Sequence, residues 1–185
     1  MILTHSRYRG QLNKPDMFTR WLTSVIVTGL APKSFYRSDA DKAHYDGLPV
    51  DFTAEAISTL AAQSFDGYRT YHVVNPHEDG ISLDTFVDWA IAAGHRVQRI
   101  DDYDDWFKRF ETALRALPEK QRQQSSLALI HQLRQPMPVG AGAVSAERFH
   151  ADVRRLGVGR DRDIPHLSEP FIRKYLDDLR ALAFI

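Results

Sequence analysis

The sequence predicts a mixed α/β fold that is mostly helical, with a few short strands. Three observations predict it. Apolar residues recur at helical spacing in seven stretches. Only three short runs have strand character. Gly, Pro and Asn-Pro signals punctuate the chain between them. A two-stranded piece is marginal alone, so strands this few read as part of a larger α/β structure.

Met1-Ile2-Leu3 reads as the end of a buried strand, followed by a polar loop with Gly10, Gln11 and Asn13. Pro15 suits a first helical turn. Met17, Phe18, Trp21, Leu22, Val25 and Ile26 then mark a helix over 15–28, stopped by Gly29 and Pro32. Residues 31–49 are rich in turn formers and read as irregular. Asp51 is a candidate N-cap for a helix over 52–63 carrying Phe52, Ala56, Ile57 and Leu60. After the Asp66-Gly67 turn, "YRTYHVV" (68–74) alternates and is rich in aromatic and β-branched residues, which predicts a strand.

Ser82 is placed to cap a helix over 83–93 ended by Gly94. "RVQRI" (96–100) reads as a short strand. Tyr103, Trp106, Phe107, Phe110, Leu114 and Leu117 give the clearest helical stripe. Pro118 opens a helix predicted to run to about Arg134. Ser145 and Ser168 are the candidate caps of the last two helices, to about Leu156 and beyond Leu179. The whole chain, 1–185, therefore reads as one subdomain. It has a strand and helix part over 1–134, a linker-like loop over 135–144 and a terminal helical part over 145–185.

Composition narrows the function classes. Lys+Arg and Asp+Glu both number 24, so no net charge draws the whole chain to nucleic acid or an anionic membrane. The absence of cysteine excludes a disulfide framework, a thiolate zinc site and a cysteine nucleophile. No apolar run approaches the roughly 20 residues a spanning helix needs. The amino end lacks the order of a signal peptide, and a cytoplasmic location is expected.

Site candidates are few. His72 and His77 are five apart, beside Glu78 and Asp79, but no further ligand has a recognisable spacing, so no metal site is expected. His72 reads as a strand-edge residue and His77, Glu78 and Asp79 as solvated, with the two acids complementing a helix start. "DDYDDW" (101–106) lacks the glycine and later glutamate of a calcium loop and reads as a helix cap. "GAGAVS" (140–145) follows prolines rather than a strand and reads as a linker, not a dinucleotide fingerprint. The arginines of "RRLGVGRDRD" (154–163) are offset by aspartates without interleaved aromatics. There is no G-x-S-x-G elbow and no tyrosine with a lysine four residues later, so no catalytic residue is assigned. Tyr175 lies on an apolar helical stripe and reads as packing.

Five segments together resemble a family. "GQLNKPDMFTRWL", "AHYDGLPVDFTAEAIS", "YHVVNPHEDGISLDTFVDWAIAAG", "RIDDYDDWFKRFETALRALPEKQRQQS" and "DIPHLSEPFIRKYLDDLRAL" are similar, in order and over nearly all of the chain, to the carboxyl end of carboxylic acid reductases, often described as fatty-acid–CoA ligases. The resemblance implies a modular enzyme. An adenylation domain activates an acid, a carrier domain holds it as a phosphopantetheine thioester, and a terminal reductase related to extended short-chain dehydrogenases releases an aldehyde with NADPH. It implies that this chain is the C-terminal substrate-binding subdomain of that Rossmann-like reductase. The chain then lies beyond the nucleotide loop and the Tyr-x-x-x-Lys pair and is inactive alone.

By the same resemblance Met1, Ile2 and Leu3 lie near the nicotinamide of NADP, and Gln11, Asn13 and Met17 beside the substrate channel. The partners implied are an acyl-phosphopantetheine carrier domain and the NADPH-binding half. The alternative is a stand-alone module that docks a carrier or another protein without catalysis. The Asp39–Ala43 stretch is shorter than the family pattern.

Overall fold

The structure, a computed structural model, describes residues 1–37, 42–64, 66–139 and 144–185. Asp39, Ala40 and Asp41 of the short stretch, and Gly140 to Ala143 of "GAGAVS", lie outside the described residues. Mixed α/β, mostly helical with short strands, is the architecture found.

The strands are β1 (Ile2–Leu3), β2 (Leu30–Pro32), β3 (Leu48–Pro49) and β4 (Gln98–Ile100). They form two separate parallel pairs, β1 with β3 and β2 with β4. In the first, Ile2 faces Leu48 and Leu3 faces Pro49; in the second, Ala31 faces Arg99. The helices are α1 (Met17–Thr28), α2 (Val50–Ala61), α3 (Leu83–Ala92), α4 (Tyr103–Ala116), α5 (Glu119–Gln124), a 3₁₀ helix (Ser126–Leu133), α6 (Glu147–Leu156) and α7 (Glu169–Ala181).

Two apolar clusters result. The main core joins α1, α3, α4 and α7 through an aromatic relay. Phe18 meets Phe86 at 5.6 Å and Tyr175 at 5.3 Å, Trp21 meets Phe35 at 5.4 Å, and Phe35 meets Trp106 at 5.5 Å. All four pairs are edge-on, an arrangement that the ring quadrupole favours. The satellite cluster is smaller: Leu48, Phe52, Ala56 and Leu60 pack on Phe149, Val153, Val158 and Ile164.

Local chemistry explains most helix boundaries. Asp16 caps α1 by accepting from the Phe18 N–H at 2.8 Å. Gly29 ends it with φ 66°, where a Cβ would stand 2.9 Å from the Arg96 carbonyl. Asp102 caps α4, as "DDYDDW" predicts, accepting from the Asp105 N–H at 2.7 Å. Ser82 precedes α3, and its N–H donates to Thr85 Oγ1 at 3.2 Å.

Several expectations need correction. Pro15 lies outside α1, because Asp16 takes the cap; Pro32 belongs to a strand rather than to the helix stop. Only Leu3 of the first strand is buried, since Ile2 faces outward. Asp51 does not cap α2, which starts at Val50 behind Pro49; its carboxylate turns to Ser6 instead. Residues 68–74 form no ladder. The Val74 N–H donates to the His72 carbonyl at 3.1 Å, a three-residue turn that a strand does not contain. The helix expected over 118–134 breaks at Ser125, whose Oγ donates to the Arg122 carbonyl and accepts from the Leu127 N–H. α6 begins after Ala146, one residue later than a Ser145 cap would allow. Met137 bridges to Tyr36, so the start of the 135–144 stretch is tied to the body.

Candidate functional site

The loop from Thr4 to Asp16 leads from β1 into α1 and contains little apolar surface of its own. Arg7, Tyr8 and Arg9 are exposed. α7 supplies its anchor. The fully buried Asp178 carboxylate accepts from the Gly10 N–H at 3.0 Å and lies 2.9 Å from the Thr4 hydroxyl. Lys174 Nζ pairs with Asp178 at 2.5 Å and donates to the His5 and Tyr8 carbonyls at 2.7 and 2.6 Å. The Thr4 hydroxyl also lies 3.0 Å from the Gln11 carbonyl, so its one proton is shared between two acceptors.

His5 closes the same loop. Its Nδ1 accepts from the Arg7 and Tyr8 N–H groups at 3.0 and 3.1 Å, which requires that nitrogen to be unprotonated. At the far end the Asn13 carbonyl accepts from Thr19 Oγ1 at 2.8 Å. That spends the Thr19 proton, so the buried Tyr175 hydroxyl donates to Thr19, 2.7 Å away. Burial raises the Tyr175 pKa, and the Thr19 contact only partly offsets it. Tyr175 is thus more than packing.

The side chains of Gln11 and Asn13 are exposed on this loop, and Met17 is half-buried at the start of α1. Met1 and Ile2 are 43% and 53% exposed, whereas Leu3 is in the core. These residues share one continuous stretch, but none lines the cavity beside it.

That cavity, of 430 Å³, lies where the two clusters meet. Ser6 and Arg7 form one wall, Asp51, Phe52 and Glu55 of α2 another, and Arg160, Asp161, His166 and Phe171 complete it. Burial works against the Asp51 charge, but the Ser6 hydroxyl and N–H outweigh it and hold the carboxyl below its ordinary value. Gly159 is a required glycine: its φ is +82°, and a Cβ would stand 3.0 Å from the Asp163 carbonyl and 3.1 Å from the Phe52 ring. Neither Lys174–Asp178 nor Asp51–Ser6 was legible as a site feature. The only sequence signal was an i, i+4 pair, the spacing of ordinary surface ion pairs.

In the His77–Asp79 loop, His77 and Asp79 are engaged rather than solvated, whereas Glu78 is exposed. His77 Nε2 donates to the Ile164 carbonyl at 2.7 Å, and its ring stacks on His166 at 3.6 Å. His166 Nδ1 lies 2.8 Å from Asp79. Burial opposes the Asp79 charge, but His166 and the Ile81 N–H prevail and lower its pKa. Among the described residues, no three His, Asp or Glu side chains converge as a metal site. His72 is exposed, with Nδ1 3.1 Å from the Ser145 carbonyl.

No family model matches the chain. Known proteins do. The chain is 56% identical over 190 residues to a carboxylic acid reductase of Mycobacterium marinum and 52% identical to one of Segniliparus rugosus, with its whole length aligned in both. The chain is similar to part of a carboxylic acid reductase. It spans 16% of the length of those two reductases. The fold agrees: the reductase domain of a nonribosomal peptide synthetase from Mycobacterium tuberculosis superposes with a TM-score of 0.91 at 46% identity, over all of this chain and 45% of that one. The similarity to carboxylic acid reductases therefore lies in a reductase region, as the five segments imply. No helix among the described residues is long and apolar enough to cross a membrane.

Proposed function

We propose that the chain is the C-terminal, substrate-binding subdomain of the terminal reductase in a carboxylic acid reductase. That enzyme reduces a phosphopantetheine-bound acyl thioester to an aldehyde with NADPH. The observation that carries this reading is the full-length match to less than half of a reductase domain. The β1–β3 ladder supports it independently. Two parallel strands of two residues do not stand alone. Ile2 stays exposed on β1, where the sheet of an extended short-chain dehydrogenase would continue.

The residues assigned to the cofactor fit a limited role. Met1 and Ile2 offer apolar surface to a nicotinamide ring, while Leu3 holds β1 in the core. Their side chains carry no charge for a phosphate, and in this reading the NADPH-binding half of the reductase holds the nucleotide. When bound there, NADPH supplies the hydride. This chain's own part is positional. Gln11 and Asn13 present amides to the pantetheine arm, Met17 adds apolar contact, and the carrier domain delivers the acyl group.

Purified chain mixed with NADPH and an acyl-pantetheine thioester is expected to show no nicotinamide oxidation. The same segment within one polypeptide that includes the nucleotide-binding half is expected to turn over. Oxidation by the isolated chain, or none by the longer polypeptide, overturns the reading.

A further inference from the structure

We propose that Lys174 and Asp178 are positioning residues for the acyl thioester, acting through the loop they clamp; the thioester itself rests on the reading above. The clamp and the loop match closely. Among the described residues, every side-chain hydrogen bond of Lys174 and Asp178 beyond their own pair goes to the Thr4–Gly10 stretch. Tyr175, on the same turn of α7, fixes the far end through Thr19 and the Asn13 carbonyl. One helical turn therefore holds both ends of the segment that bears Gln11 and Asn13.

An ion pair is a costly way to achieve mere cohesion. Asp178 is fully buried and Lys174 is half-buried, with 18% of its side chain exposed, and well-packed apolar residues often serve stability as well. What apolar residues do not supply is direction. The pair orients one hydroxyl, one N–H and two carbonyls at fixed distances. Gly10, with φ 73°, adopts the left-handed backbone that aims its N–H at Asp178. Ser6 and Arg7 lie in the middle of the clamped stretch and form the cavity wall. Asp51 holds Ser6 from the opposite side. A shift of the clamp displaces the cavity rim and the two exposed amides together.

The test uses the complete reductase polypeptide that includes this segment. The neutral pair Lys174→Met/Asp178→Asn is expected to raise KM for the acyl-pantetheine thioester about tenfold, with kcat and KM for NADPH within about twofold. Amide exchange at Tyr8 and Gly10 should quicken while α4 stays protected. Asp178→Asn alone should show a smaller rise, because Lys174 still donates to the His5 and Tyr8 carbonyls.

An unchanged thioester KM in a folded double variant overturns the inference. If Gln11→Ala and Asn13→Ala raise KM but the clamp variant does not, the inference fails and the reading of the amides stands. If only the clamp variant raises KM, the amide assignment fails and the clamp stands. Should the double variant not fold, Thr4→Val removes one clamped hydroxyl and is judged by the same KM criterion.

Discussion

The main core and the satellite cluster are built from the same kinds of residue but held in different ways. The main core is a web of large rings in which Trp106, Phe110 and Phe86 have no exposed surface. The satellite has two buried rings, Phe52 and Phe149, 6.4 Å apart, with Tyr71 packed against them and otherwise aliphatic contacts. Between them the joint is largely polar: the β1–β3 ladder, Ser6 on Asp51, His77 on the Ile164 carbonyl and His166 on Asp79. The cavity opens along that joint. The difference teaches that one body supplies a fixed reference, α7 with its clamp, while the other supplies a wall attached through hydrogen bonds. Such joints are where local opening costs least.

The largest expected effect separates the two bodies directly. Phe86→Ala removes a ring packed on Phe18 and Tyr45 and should cost about 3–5 kcal/mol in urea unfolding. Phe149→Ala should cost less, about 3 kcal/mol at the low end of that range, because a small cluster beside an open cavity relaxes more readily. Its amide exchange should rise in α2 and α6 alone. Equal losses, with exchange spread over α1 and α4, would break the comparison.

A second contrast comes from alkali, and it concerns the main core. Tyr36 has its pKa pushed up to about 12, first by burial and then by Asp84. Tyr45, Tyr103 and Tyr175 are raised too, each chiefly by burial. All four belong to or pack against the main core. A raised folded pKa leaves stability intact below the unfolded value, about 10, and removes it as pH rises toward the folded value. Melting temperature should therefore fall from about pH 10 upward. Tyr36→Phe should flatten that slope, and a slope unmoved by the substitution would count against the core tyrosines as its source.

Much of this division was legible in the sequence, and the rest was hidden for physical reasons. The stripe Trp106, Phe107, Phe110, Leu114 announces α4 because helical spacing alone decides which face is apolar. The alternation of 68–74 announces two faces but cannot supply a ladder partner, and here Tyr71 and Val73 pack on the satellite without one. The Ser125 break carries no glycine or proline to mark it; a side-chain hydrogen bond made it. Gln11 and Asn13 are proposed as site residues through family resemblance alone. Lys174 and Asp178 offer only an i, i+4 spacing in the sequence, because whether such a pair faces solvent or a loop is a fact of tertiary packing. His77 and Asp79 looked solvated for the same reason, since their partners His166 and Ile164 lie far along the chain.

The smallest expected effect concerns the joint, and it runs in acid. Asp51 and Asp79 are disfavoured by burial but end below their ordinary value, through Ser6 for the first and through His166 and the Ile81 N–H for the second. A lowered folded pKa contributes stability above the unfolded value, about 4, and loses it as pH falls through the folded value. The joint should therefore loosen below about pH 4 while the core tyrosines, neutral throughout, contribute nothing to the change. The effect is small because both carboxylates keep some contact with water, at 29% and 17% exposure. His44, 3.8 Å from Asp79, and His166 face the same carboxylate and keep it in demand until it is protonated. Exchange of the Ser6 and Ile81 amides reads the loss, since those N–H groups donate to Asp51 and Asp79. After correction for intrinsic rates, both amides should lose protection on acidification before Phe110 does. Asp51→Asn and Asp79→Asn should each abolish the acid dependence at its own amide only. Simultaneous loss at Ser6, Ile81 and Phe110 would mean that joint and core open as one unit, and that the wall of the cavity is as rigid as the helix that clamps its rim.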